Sequence, residues 1–226
     1  MLELIEEYEF VAAFWMTLKL AAYSAFYSLI LGTVLAVMRV SPVRIFQWLG
    51  SSYVTLVRNT PLTLIVVFCS LALYGQLGIT LADRESASFL VDNNIRLAIL
   101  GLSAYHAAFV CEALRSGVNT IPLGQAEAAR SIGLTFTQSL RQVIMPQAFR
   151  GAVTPLGNVL IALIKNTTVV AAIGVAEIAY RMKAVAEFRP DLLMLGFAVV
   201  AIGFVILTLP LGILTSYLSG RLAVKR

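Results

Sequence analysis

The stretch EAARSIGL, Glu127 to Leu134, is polar and rich in small residues, yet it lies between long apolar segments, with Met145-Pro146 eleven residues on. Pro122 and Gly124 break off the apolar segment before it. Gln125–Ile132 is built from good helix formers, so a short helix is predicted there. Gly133 is placed to end it in the left-handed conformation. Thr135 then opens a second helix, with Gln138 three residues later to complete a capping box. That second helix is predicted to run to Met145 and stop at Pro146, because the residue before a proline avoids the helical region. Ala126, Ala128 and Ala129 carry almost no side chain, so a neighbouring protein could approach closely, and Glu127, Arg130 and Arg141 offer charge. A simple connection needs only a few residues. The segment 116–150 is far longer and reads as a docking knob.

Outward from the knob the chain reads as membrane. Of its 226 residues, 59% are hydrophobic and 13% charged, with a mean hydropathy of +0.87. Ordinary soluble domains have about a quarter of their residues charged. A spanning helix needs roughly 20 mostly apolar residues, and the stretches 10–40, 52–77, 95–114, 152–175 and 192–218 supply five. The first follows Glu3, Glu6, Glu7 and Glu9 and lacks a basic leader and a cleavage site, so it is expected to be retained. The expected fold is an all-α membrane protein, with residues 1–226 as one transmembrane domain.

The net charge of +5 carries a topology and not an affinity for nucleic acid. With the N-terminus outside, Arg39, Arg44, Arg115, Arg130, Arg141, Arg150, Arg221, Lys225 and Arg226 fall on the cytoplasmic side. The smaller group Arg84, Arg96, Arg181, Lys183 and Arg189 falls outside, beside most of the acids. That satisfies the positive-inside rule, and the inverted topology violates it. The expected location is therefore a cytoplasmic membrane, with the C-terminus inside. The polar segment 78–94 becomes an external cap. Cys69 and Cys111 lie in separate apolar spans and read as buried free thiols.

Several chemistries are excluded. There is no G-x-x-x-x-G-K-[ST] to cradle a nucleotide, no H-E-x-x-H, no G-x-S-x-G, and one histidine in all. No catalytic residue and no metal site is expected, and any energy source must dock on the knob.

The spacing from Glu127 through Gly133 to Val143-Ile144-Met145-Pro146 resembles the EAA loop of importer permeases in ATP-binding cassette systems, with Val143 and Met145 where that family more often has isoleucine and leucine. Three further stretches resemble its polar amino acid branch: VRNTPL (Val57–Leu62), FVCEALRSGVNTIPLGQAEAARSIGL (Phe109–Leu134) and MPQAFRGAVTPLGNVLIALIKNTTVV (Met145–Val170). Asn59 stands where the family usually has glycine. The resemblance covers about Phe14 to Tyr217. It implies a type I importer fold in a bacterial inner membrane, with a cytoplasmic coupling helix formed by Gln125, Glu127, Ala128, Ala129, Arg130 and Gly133. It also implies a second permease, identical or homologous, and two ATP-binding subunits that hold ATP and magnesium. An external solute-binding protein would deliver an amino acid, and transport would proceed by alternating access within membrane lipid.

Polar residues at membrane depth are candidates for the path, because burying them unpaired is costly. Thr154, Asn158, Lys165 and Thr168 share one helical face, with Asn166 at its edge. There Lys165 could meet a carboxylate and Asn158 and Thr168 could offer hydrogen bonds. The alternative is that Asn158 and Lys165 tie helices together. Arg58 with Pro61 is either a kinked gate or an interfacial arginine ahead of a helix start. Glu112 and Arg115 read as an i,i+3 ion pair, and His106 as a packed histidine. Membrane-depth cations outnumber acids, which favours an acidic or neutral amino acid such as glutamate. Methionine, a basic amino acid, or a non-transporting scaffold remain the alternatives.

Overall fold

The computed structural model describes residues 2–222. Lys225 and Arg226, counted above on the inner side, lie outside the described residues. Among those described, the architecture is helical throughout. The chain begins with α1 (Leu2–Glu7) and α2 (Phe10–Val40), then α3 (Arg44–Arg58) and α4 (Leu62–Phe68, continued by a π-helical turn Cys69–Gln76). The central α5 (Phe89–Val118) leads to α6 (Leu123–Ser131), α7 (Phe136–Ser139) and α8 (Met145–Gly151). Then come α9 (Val153–Asn166, continued by a 3-10 turn Thr167–Ile173), α10 (Ile178–Phe188) and α11 (Leu193–Leu222).

Helix α5 is the axis of the bundle and the most buried of the long helices. It runs parallel to α2: Leu20 meets Ile95 and Ala98 near one end, and Ala36 meets Ala108 and Cys111 near the other. Close approach depends on Gly32, where an added Cβ would lie 2.5 Å from the Val110 side chain. Helix α11 is apolar all round and buries only Gly196 and Gly203, which leaves most of its apolar surface uncovered.

Among the described residues, four helices are long and apolar enough to cross a membrane, and the second expected span becomes a fifth only as a bent pair. The stretch 52–77, expected as one span, is thus broken at Pro61. Helix α3 and the α4 segment meet at 103° across Asn59–Thr60–Pro61. Pro61 has no N–H to extend α3, so it heads α4 instead. The side chains before it close α3, with Asn59 Nδ2 donating to the Thr55 carbonyl at 2.7 Å and Thr60 Oγ1 to Leu56 at 2.9 Å. The α4 segment has 7 α-helical and 8 π-helical residues, at most about 22 Å of rise, against a hydrocarbon core of about 30 Å. Alone it falls short of that thickness, and α3, set at 103° to it, adds almost no rise along the same axis.

The knob also departs from expectation at one point. The helix after Thr135 does not stop at Pro146. It continues through a π turn, Leu140–Ile144, into α8, with the Met145 N–H donating to the Leu140 carbonyl. The wider turn relieves the clash between the proline ring and the carbonyl four residues back, and proline has no N–H to leave unpaired. At the end opposite the knob, α5 starts at Phe89, so the cap is shorter than the expected 78–94. Asn93 there accepts from the Leu81 N–H at 2.8 Å, and Asn94 donates to the Ile173 carbonyl at 2.9 Å.

Candidate functional site

Helix α6 is closed at its C-terminus by paired backbone bonds. The Gly133 N–H donates to Arg130 at 3.0 Å and the Leu134 N–H to Ala129 at 3.1 Å. Gly133 itself sits at φ +87°, a conformation other residues adopt only with strain. The next helix starts immediately. Thr135 Oγ1 accepts from the Gln138 N–H at 3.3 Å, and Gln138 Oε1 accepts from the Thr135 N–H at 2.9 Å. The expected capping box is therefore present, and helix, turn and helix form one stiff unit.

That unit is bolted to the spans through glycines. A Cβ on Gly117 of α5 would strike the Ala148 carbonyl of α8, and one on Gly151 would lie 2.8 Å from Thr120 Oγ1. Ala148 and Ala152 are completely buried at this crossing. Gln147 of α8 also donates to Gln125 of α6 at 2.5 Å. The α6–α8 unit thus packs directly against the C-terminal end of α5.

The exposed side of α6 carries Gln125, Glu127, Ala128 and Arg130. Glu127 makes no ion pair among the described residues. Ala129 differs from expectation: it is 4% exposed and packs inward, so it seats the helix and offers no open face. Two residues not singled out in the sequence stand out here. Leu123 and Ile132, at the two ends of α6, are 83% and 78% exposed. Both lie outside the spans and are left uncovered by the rest of the chain, and their apolar character within a polar knob was the available signal.

On α9, Thr154, Asn158 and Lys165 are exposed together, while Gly157, Leu163 and Ile164 on other faces are buried. Gly157 packs directly on Thr215 of α11. None of the three exposed residues makes a side-chain hydrogen bond among the described residues, so their polar groups remain available. Asn166 and Thr168 do not join them. Asn166 Nδ2 donates to His106 Nε2 at 3.2 Å, while His106 Nδ1 lies 3.1 Å from the Leu102 carbonyl. These partners assign the neutral histidine with its proton on Nδ1. Asn166 is thus a tie between α9 and α5. Thr168 Oγ1 donates to the Lys165 carbonyl at 2.9 Å and closes the end of α9.

Arg58 enters a cluster larger than the expected pair. Glu112 of α5 bonds Arg39 of α2, with Arg58 of α3 at 3.6 Å and Arg115 at 3.9 Å. The anticipated Glu112–Arg115 contact exists, but it is the longest of the three. Each arginine stands in the last turn of its helix, where a cation complements the helix dipole.

At the far end, Glu177 is fully buried and caps α10. It accepts from the Ala179 N–H at 2.9 Å and the Tyr180 N–H at 2.8 Å. Burial, with no cationic partner among the described residues, outweighs those two donors and pushes its carboxyl up to about 7. No group of three or more metal-ligating side chains occurs among the described residues.

Residues 28–224 match the family described as binding-protein-dependent transport system inner membrane component. The chain is 57% identical to the glutamate transport system permease protein GluC of Corynebacterium glutamicum, over 95% of this chain and 94% of that protein. It is 32% identical to the probable glutamine ABC transporter permease protein GlnM of Bacillus subtilis, over 94% and 93%. A crystallised amino acid ABC transporter, solved with histidines, superposes with a TM-score of 0.75 at 26% identity, covering 94% of this chain and 93% of that one.

Proposed function

The chain belongs to the family of binding-protein-dependent transport system inner membrane components, and from that premise we propose that it forms the path of an importer for glutamate, driven through α6. As a permease subunit of an ABC importer it is not an enzyme; ATP hydrolysis is the work of a separate subunit. The observation that carries the mechanism is the stiff α6–α8 unit, which presents an open face outward and packs glycine-tight onto α5. ATP binding closes two ATPase subunits that hold ATP and magnesium, the α6 helices of two permeases approach each other, and the spans swing to face outward. Hydrolysis restores the inward-facing state.

The N-terminus lies outside and the knob in the cytoplasm, in keeping with the distribution of arginines. The open face of α9 lines the path, with Lys165 meeting a substrate carboxylate and Asn158 and Thr154 offering hydrogen bonds. A second permease closes that path, since Asn158 and Lys165 would otherwise face lipid unpaired. An external solute-binding protein delivers the amino acid at the cap. The choice of glutamate rests on the 57% identity to a protein of that name, against 32% for the one named for glutamine. The test is ATP-dependent uptake of labelled L-glutamate by proteoliposomes holding the complete complex. Unlabelled glutamate should compete and arginine should not. Equal competition by arginine would reject the substrate, and failure of any ATPase to co-purify would reject the mechanism.

A further inference from the structure

We propose that the arginine cluster around Glu112 is a product-side site for an acidic amino acid, which binds from the cytoplasm and slows the transport cycle. The proposal rests on the orientation and the acidic substrate given above. Arg39, Arg58 and Arg115 close the inner ends of α2, α3 and α5, and one carboxylate serves all three. Arg39 is committed to it, with its side chain 14% exposed. Arg58 and Arg115 are not, since their nearest approaches of 3.6 and 3.9 Å exceed a hydrogen bond, and their side chains are 46% and 42% exposed. Neither makes another side-chain hydrogen bond among the described residues. Three guanidiniums against one carboxylate leave an excess of two positive charges at a single cavity.

That cavity measures about 480 Å³ and is walled by Val54, Thr55, Asn59 and Phe109 as well as the charged groups. A volume in this range suits a small organic ligand. The Arg58 guanidinium stands 5.7 Å from the centre of the Phe109 ring, which restrains its plane for a two-pronged carboxylate contact. Acidic amino acids carry a second carboxylate remote from the ammonium group, and net negative charge is what the cluster lacks. Neutral amino acids present no net charge to it. The cavity borders Asn59, where α3 bends into α4, so a ligand joining Arg58 to Arg115 would hold that bend against α5. Internal accumulation of product would then restrain the movement that transport needs.

Glu112 is the built-in competitor, and this gives the proposal a distinctive sign. Equilibrium binding of labelled L-glutamate to the nucleotide-free permease–ATPase complex, without solute-binding protein, tests it. Binding should saturate and be displaced by L-aspartate but not by L-glutamine. Arg115→Gln should weaken it at least tenfold, Arg44→Gln, at an exposed arginine of α3 outside the cavity, should leave it unchanged, and Glu112→Gln should tighten it severalfold. A tightened site cannot be produced by misfolding. If Glu112→Gln weakens binding as Arg115→Gln does, the cluster is only a structural tie and the proposal is overturned. Loss of binding in Lys165→Met with Arg115→Gln silent would overturn it too, by placing the ligand on α9. Uptake by the same preparation separates the two levels. Glutamate uptake without Arg115-dependent binding rejects the product site alone, whereas absence of uptake in the wild type rejects the importer reading.

Discussion

Gly117→Ala tests the joint between knob and span, because one methyl group is placed where α5 and α8 touch. The added Cβ would strike the Ala148 carbonyl and lie 3.0 Å from the Ala152 Cβ. A carbon and a carbonyl oxygen settle at about 3.3–3.6 Å, so α8 must retreat by roughly 1 Å. The neighbours are backbone and alanine, with no flexible side chain to yield, and overpacking of this kind costs about 1–3 kcal/mol. Carried onto the equilibrium between inward- and outward-facing states, that is a roughly 5- to 150-fold change. ATPase activity stimulated by loaded binding protein, measured beside uptake in proteoliposomes, should therefore lose its link to transport, with uptake per ATP falling at least severalfold. Gly124→Ala is the control: it adds the same methyl to α6, where nothing lies within 4 Å, and should leave coupling intact. If Gly117→Ala transports as well as Gly124→Ala, force does not pass through the α5–α8 crossing and the reasoning fails.

Other perturbations bear on separate parts of the molecule. Glu127→Arg reverses an exposed charge on α6 and should abolish uptake while the protein still inserts; retained uptake with normal ATPase association would remove Glu127 from the coupling surface. Asn158→Leu should reduce glutamate uptake without uncoupling the ATPase, and unchanged rate and affinity would take Asn158 out of the path. Glu177 holds its proton to about pH 7 in the folded chain, against about 4.5 otherwise, so the folded state is favoured at low pH. That advantage disappears as pH rises from about 4.5 to 7, amounting to at most about 3 kcal/mol above neutrality. Thermal unfolding in detergent should thus show the wild type losing more stability than Glu177→Gln between pH 5 and 8, and parallel losses would contradict the assignment.

The knob was the most legible part of the chain because its signals are local. Gly133 requires one backbone conformation, and Thr135 and Gln138 satisfy each other within a single turn. The apolar lengths likewise exposed the long helices. Pro61 was read as either a kink or a helix start, and both occur, but the size of the bend, 103°, was not readable, since it depends on how α3 packs in the fold. Pro146 misled for the opposite reason. A π turn absorbs it, and nothing in the residues from Leu140 to Ile144 announces that turn. Helical spacing placed Asn166 near the polar face of α9, yet its partner His106 lies sixty positions away. The Glu112 cluster shows the same limit: the i,i+3 contact was visible, and the two arginines from other helices required the fold.

Spin labels offer the most direct test of force transfer through α6. Ala128→Cys places one on its exposed face, the native Cys69 and Cys111 being buried, and a second belongs on the matching helix of the other permease. The distance between them, measured in the assembled transporter, should shorten when ATP binds and lengthen again after hydrolysis. A distance that stays constant through a cycle that still imports glutamate would contradict the account.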